Sequence, residues 1–167
     1  ALSGKIVFVY SIANFPTFRC LEQIRNDVCY HNANVKIVSV GAGYTYGAHG
    51  YTHHGVEDLA IMRVLPNMKV ASPDDPIESE KITEIFARTE GPAYLRIGKA
   101  GEPVIHKKDI HVLIGGLIEG TDEPANTVII STGSMLSLAI DISNAAKQKG
   151  ISIKVYSCPF IEPIDKL

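Results

Sequence analysis

The stretch "HGYTHHGVEDLAIMRVLPNMKV" (49–70) places three of the chain's six histidines within six residues, directly before an apolar helical pattern. Three readings fit such a cluster. His49 and His53 are four apart, the spacing of two imidazoles that share a metal on one helix face. Gly50, Tyr51 and Thr52 lie between them, however, so the glutamate of an HExxH motif is absent and the glycine disfavours a regular helix. No metal site is therefore expected here. A second reading is catalytic: an imidazole can donate a hydrogen bond to a developing alkoxide or exchange a proton with it. The third is a solvated polar loop that caps the following helix, with Thr52 or His53 near the N-cap.

The catalytic reading needs a ligand pocket at this point in the fold. Open α/β sheets bind ligands in loops that follow the carboxyl ends of parallel strands. Helix N-termini there offer N–H groups to anionic atoms. The surrounding sequence predicts such a sheet. "KIVFVY" (5–10) and "VKIVSV" (35–40) read as buried strands, "MKVAS" as a third and "PAYLRIG" as a fourth. Between them, Phe18, Leu21, Ile24, Arg25 and Val28 fall at helical spacing, and Val56, Leu59, Ala60 and Leu65 mark a helix after Thr52 that stops near Pro66. A further helix opens with Asp75 as N-cap, Pro76 at its first position and Glu78 at its third. Strand–helix alternation predicts an α/β fold, a parallel sheet with helices on both faces.

From Lys99 the periodicity is lost, and short strands in a connecting stretch are expected. "NTVIISTGS", "SMLSLAIDISNAAKQKG" and "ISIKVYSCPF" then form a fresh β-α-β unit, with Ser134 as helix N-cap and Gly150 closing the helix. The predicted divisions are 1–100, a connection over 101–122, and a partial second α/β domain over 123–167. "VKIVSVGAGYTYG" resembles a strand followed by GxGxxG, but the third glycine comes one residue late, at Gly47, and does not open the helix. Gly41 and Gly43 then read as loop glycines that allow close backbone approach.

Bulk properties exclude several classes. A net charge of −2 with interspersed signs gives no stripe for nucleic acid. Apolar runs are too short and broken to span a membrane, and "ALSGKIVFVY" has no secretory pattern. Three cysteines without CxxC read as reduced thiols in a cytoplasmic protein.

The order "YSIANFPTF", "GYTHHGVEDLAIMRVLPNMKVASPDDPIE", "EGPAYLRIGK" and "TVIISTGS" resembles the transketolase-like family of thiamine diphosphate enzymes along essentially the whole chain. The resemblance implies a pyrimidine-binding domain lacking its first strand and helix, followed by the beginning of the C-terminal domain. It implies transfer of a two-carbon ketol unit between sugars or sugar phosphates. The cofactor would be thiamine diphosphate, with a divalent metal (Mg or Ca) held by a missing domain or a partner subunit. A homo-oligomer is expected, and the fragment alone is expected to be inactive. Phe15 and Phe18 match the aromatic pocket of the aminopyrimidine ring; Arg19 has no firm match. His53 matches the "T-H" histidine beside the reacting oxygens. His54, Glu57 and Asp58 read as structural, the two acids favouring the helix N-terminus.

The departures bear on the substrate. His49 stands where an acidic sugar contact is usual, and Gly41 where a sugar-contacting histidine is usual. Lys99, with Arg96 three residues earlier, stands near the usual phosphate-binding arginine. Lysine binds phosphate as a point charge without the bidentate fork. The same resemblance leaves open a 2-oxo acid dehydrogenase beta chain or a deoxyxylulose-phosphate synthase-like carboligase. A non-catalytic interaction domain is the reading outside enzymes.

Overall fold

The computed structural model describes residues 1–106, 110–121 and 124–164. The boundary expected near residue 122 lies outside them. Two sheets organise the chain. The larger has the order β1-β2-β4-β3-β8: β1 (Val7–Ile12), β2 (Val35–Val40), β3 (Lys69–Ala71) and β4 (Ala93–Ile97) are parallel, and β8 (Phe160–Glu162) is antiparallel to β3. The smaller has the order β5-β7-β6, from β5 (Ile118–Glu119), β6 (Thr127–Ser131) and β7 (Ile153–Ser157).

Strand alternation sorts the core onto two faces. Val70 and Tyr94 pack with Ile37, Met62, Leu65 and Ile24 on one side. Their neighbours Ala71, Ala93 and Leu95 pack with Ile82, Phe86 and Phe160 on the other. This is the period-two pattern of a sheet covered on both faces. The first face is covered by a helical stretch over 15–29, here α1, and by α2 (Asp58–Arg63). The second is covered by α3 (Pro76–Arg88). α1 is irregular: short α-helical geometry at Leu21–Gln23 separates two π-helical turns. Lys36 lies fully buried within β2, and its Nζ donates to the carbonyls of Thr89 and Gly91, both at 2.6 Å. The charge thus sits against the carboxyl end of α3, where a cation is favourable. Burial still lowers its pKa to about 8.

Several sequence expectations shift. The first strand begins two residues late and stands at the sheet edge, so Phe8, Val9 and Tyr10 are exposed rather than buried. α2 starts at Asp58, not after Thr52, because Gly55 is held in a bridge with Ala42 and Gly43. Ser134 does not cap α4 (Leu136–Lys147); Met135 takes the N-cap position and Ser134 Oγ donates to Glu102 instead. β8 is not separable from β7 by sequence pattern. After Ser157 the chain turns through Pro159, whose carbonyl accepts from Ser72 N at 2.7 Å, and rejoins the first sheet. The α3 cap is as expected in kind: Asp75 Oδ1 accepts from Glu78 N at 2.8 Å. In return Glu78 Oε2 accepts from Asp74 N, one residue earlier than in the usual capping box. Among the described residues no helix is long and apolar enough to cross a membrane.

Candidate active site

Four parallel strands end along one edge, and the loops leaving them carry most of the candidate residues. β1 ends at Ala13, Asn14 and Phe15; β2 ends at Gly41 and the histidine loop; β4 ends at Gly98 and Lys99. The loop is fastened at its base. Gly43 and Gly55 exchange backbone hydrogen bonds at 2.8 and 3.0 Å. Gly55 lies so close to Ala13 that a Cβ on it would sit 2.8 Å from the Ala13 Cβ, below any real carbon contact. The Asn14 side-chain amide donates to the carbonyls of Tyr51 and Thr52 at 3.3 and 3.2 Å, tying the end of β1 to the loop.

Within this frame, Phe15, His49 and His53 come together. The Phe15 ring meets His53 edge-on at 5.4 Å between centroids, and His49 lies 5.2 Å from His53. The His53 Nδ1 is 3.0 Å from Thr52 Oγ1. His49 donates through Nδ1 to the Tyr46 carbonyl at 3.0 Å. For both rings Nε2 carries no hydrogen bond to the described residues, so a ligand atom can be met by either. His54 differs: its Nε2 donates to the Gly47 carbonyl and its ring packs on Tyr44, so it holds the loop. Phe15 also lines an apolar groove of about 380 Å³ with Val9, Arg19, Ile24, Val28 and Ile37. The Arg19 guanidinium lies 4.4 Å above its ring, a cation–π contact. Phe18 does not line that groove and is 47% exposed.

Arg96 and Lys99 separate. Arg96 Nε lies 3.1 Å from Asp58 Oδ2, a second nitrogen donates to the Gly55 carbonyl, and Asp58 is fully buried. Tyr94 donates its hydroxyl to the same carboxylate oxygen at 2.6 Å. Burial pushes the Asp58 carboxyl up, and Arg96 and Tyr94 oppose it by favouring the anion. Burial, then Asp58, pushes the Tyr94 phenol well up. Arg96 is thus engaged beneath the loop rather than open to a ligand. Lys99 is exposed and lines a shallow cleft of about 250 Å³ against Pro76 and Ser79 of α3.

Sequence reasoning places Asp58 only as a helix-dipole acid. The signal for its partner is Arg96 itself: a guanidinium in the apolar strand "AYLRI" requires a buried acceptor, and an acid at a helix start provides it. Asn14 escapes sequence reasoning because its bonds join loops 37 and 38 residues apart.

Residues 1–101 match the family model of the transketolase pyrimidine-binding domain, and 118–167 that of the transketolase C-terminal domain.

The chain belongs to the transketolase family.

It is 35% identical to an apulose-4-phosphate transketolase subunit of Phocaeicola vulgatus over 169 residues, covering 99% of this chain and 53% of that protein. It is 32% identical to 1-deoxy-D-xylulose-5-phosphate synthase of Bacillus velezensis over 170 residues, covering 99% of the chain and 26% of that relative. Its fold superposes on a split-gene transketolase, described as an inactive beta4 tetramer, with a TM-score of 0.88 and 35% identity, over 98% of this chain and 52% of the other. This transketolase-family chain therefore spans about half the length of the apulose-4-phosphate transketolase subunit it matches.

Proposed function

We propose that this chain supplies the pyrimidine-binding and substrate-facing half of a thiamine diphosphate-dependent enzyme that transfers a two-carbon ketol unit between sugar phosphates. The observation that carries the reading is the edge contact of Phe15 with His53, which joins the aromatic wall to the histidine loop at 5.4 Å. A half-buried ring beside an apolar groove of about 380 Å³ fits a flat heteroaromatic group. When bound, thiamine diphosphate supplies the carbanion chemistry that side chains lack.

The chain's own residues then have separable tasks. Phe15 holds the aminopyrimidine ring and excludes water, whereas Phe18, exposed and outside the groove, has no part in it. His53, its Nδ1 oriented by Thr52, uses Nε2 to exchange a hydrogen bond or a proton with the substrate oxygen. His49, anchored through Nδ1, meets a sugar hydroxyl with Nε2. Lys99 attracts the sugar phosphate as a point charge. Arg96 supports the loop through Gly55 and Asp58. A divalent metal (Mg or Ca) and the diphosphate belong to a second domain or subunit, in line with a relative that is itself named as one subunit of a transketolase. A cytoplasmic oligomer of this chain, assembled with that second domain or subunit, is the working form.

The test is to combine the full chain with its diphosphate-binding partner, thiamine diphosphate and Mg, and to assay ketol transfer from ketose phosphates. Transfer to an aldehyde acceptor is the expected result. Activity confined to decarboxylation of a 2-oxo acid would contradict it and favour the carboligase reading, which the similarity to the deoxyxylulose-phosphate synthase supports.

A further inference from the structure

Three tyrosines punctuate the histidine loop, and one behaves differently. Tyr44 and Tyr51 are 71% and 75% exposed, whereas Tyr46 is half-buried and turns its ring into the site. That ring lies directly over Gly41, the first residue after β2. A Cβ on Gly41 would stand 2.1 Å from Tyr46 Cε2 and 2.6 Å from Cδ2, far below contact, and Gly41 has φ of +92°. Glycine at this position is what admits the ring.

From there Tyr46 meets both candidate histidines edge-on. Its centroid is 5.9 Å from that of His49 and 6.2 Å from that of His53. Its carbonyl accepts from the His49 Nδ1 at 3.0 Å and the His49 backbone N–H at 2.9 Å. Tyr46 belongs to none of the buried core clusters. Its packing partners are the loop and the strand end, not the core.

We propose that Tyr46 is a specificity-determining residue, a wall that fixes the rings of His49 and His53 and closes the strand end over Gly41 against long aldose acceptors. This rests on the ketol-transfer reading of the same loop. The phenol ring fills the space over Gly41 beside both histidines. On this proposal an acceptor that extends past them toward the strand end clashes with it, and a short one does not. Because the ring also buttresses two imidazoles, its loss frees both of them at once.

Two measurements on the complete complex test this separately. The first is peptide-resolved carbethoxylation of histidines by diethyl pyrocarbonate. Tyr46→Ala and Gly41→Ala are expected to raise the modification rates of His49 and His53 severalfold. His31, exposed just after α1 and outside the loop, serves as the internal standard and keeps its rate. Tyr46→Phe, which retains the ring, keeps the wild-type pattern. Unchanged rates at His49 and His53 in both alanine variants overturn the packing role. The second is the ratio of kcat/KM for a long over a short aldose acceptor, with KM and kcat separated. Tyr46→Ala is expected to raise that ratio by at least about 10-fold, mainly through KM of the long acceptor. Tyr46→Phe restores it. An unchanged ratio in an active Tyr46→Ala complex overturns the specificity role. A wild-type complex inactive on every ketose sinks the ketol-transfer reading and the specificity role with it, whereas the modification pattern still decides the packing.

Discussion

At the scale of single residues, His53 and His49 are chemically alike and predicted to fail differently. Each ring has one nitrogen tied down, His53 by Thr52 and His49 by the Tyr46 carbonyl. On the proposed reading the remaining nitrogen is the one that meets a substrate. If His53 stabilises charge that develops during reaction, His53→Ala lowers kcat of the assembled enzyme by roughly 10- to 1000-fold with a smaller change in KM. Steady-state kinetics on ketose phosphates checks this, and a wild-type kcat would leave the loop a polar helix entry. His49→Asp places an acid where the family usually carries one. Its expected effect is a changed ranking of substrates by kcat/KM, with turnover on the best substrate retained. A ranking identical to wild type would remove His49 from the substrate side.

At the scale of elements, the loop depends on a strand and a helix that meet beneath it. Asp58 at the start of α2 and Arg96 and Tyr94 on β4 form one buried network, and Arg96 also reaches Gly55. Arg96→Leu leaves the Asp58 charge without its cation, at a cost of about 3 kcal/mol in stability. Denaturant unfolding measures it. A substrate-binding arginine would instead raise KM for phosphorylated sugars while leaving the midpoint of unfolding unchanged. The sequence makes some of this legible and hides the rest for a physical reason. The cap of α3 can be read because Asp75, Pro76 and Glu78 lie within one turn. The strands β2, β3 and β4 can be read because burial on both faces leaves mainly apolar runs, interrupted only by Lys36, Ser39, Lys69 and Arg96. The late start of α2 cannot, since it is set by Gly55 packing on Ala13 and Gly43 across the sheet edge. The cluster of Phe15, His49 and His53 is legible as residue types, while Phe18 and Lys99 fall in other surroundings that spacing alone does not resolve.

At the scale of the whole molecule, a buried polar cluster joins the two sheets. Asp74, Asp75 and Glu78 at the start of α3 face His106 from the connection, Ser131 at the end of β6, Ser157 at the end of β7 and Cys158 just after it. His106 Nδ1 lies 3.4 Å from Asp75 Oδ2 and 3.5 Å from Glu78 Oε1. Burial raises the pKa of Asp74 to about 6, and burial likewise raises that of Glu78. Asp75 goes the other way: burial opposes its charge, but the N–H groups of Glu78, His106 and Ile105 outweigh it. Asp74 and Glu78 therefore keep protons in the folded chain that the unfolded chain has released. Their stabilising contribution is fully present below the ordinary carboxylate range and is lost as pH rises through about 6. Asp75 loses its contribution only at lower pH. The midpoint of thermal unfolding is expected to fall between about pH 4 and about pH 7. Glu78→Gln mimics the protonated acid and keeps the acceptor for Asp74 N, so it flattens this fall and is close to wild type at the acid end. An equal slope in the variant would place the pH dependence elsewhere.

The central claim is that Phe15 and the histidine loop form one wall of a cofactor cleft completed by another domain or subunit. Titration of thiamine diphosphate, in the presence of Mg, into the assembled complex tests it most directly, comparing wild type with Phe15→Ala. Lost apolar burial and stacking predict binding weaker by about 1 to 3 kcal/mol, roughly 5- to 150-fold in Kd. Equal affinity in the two complexes, with both folded and assembled, would contradict the claim.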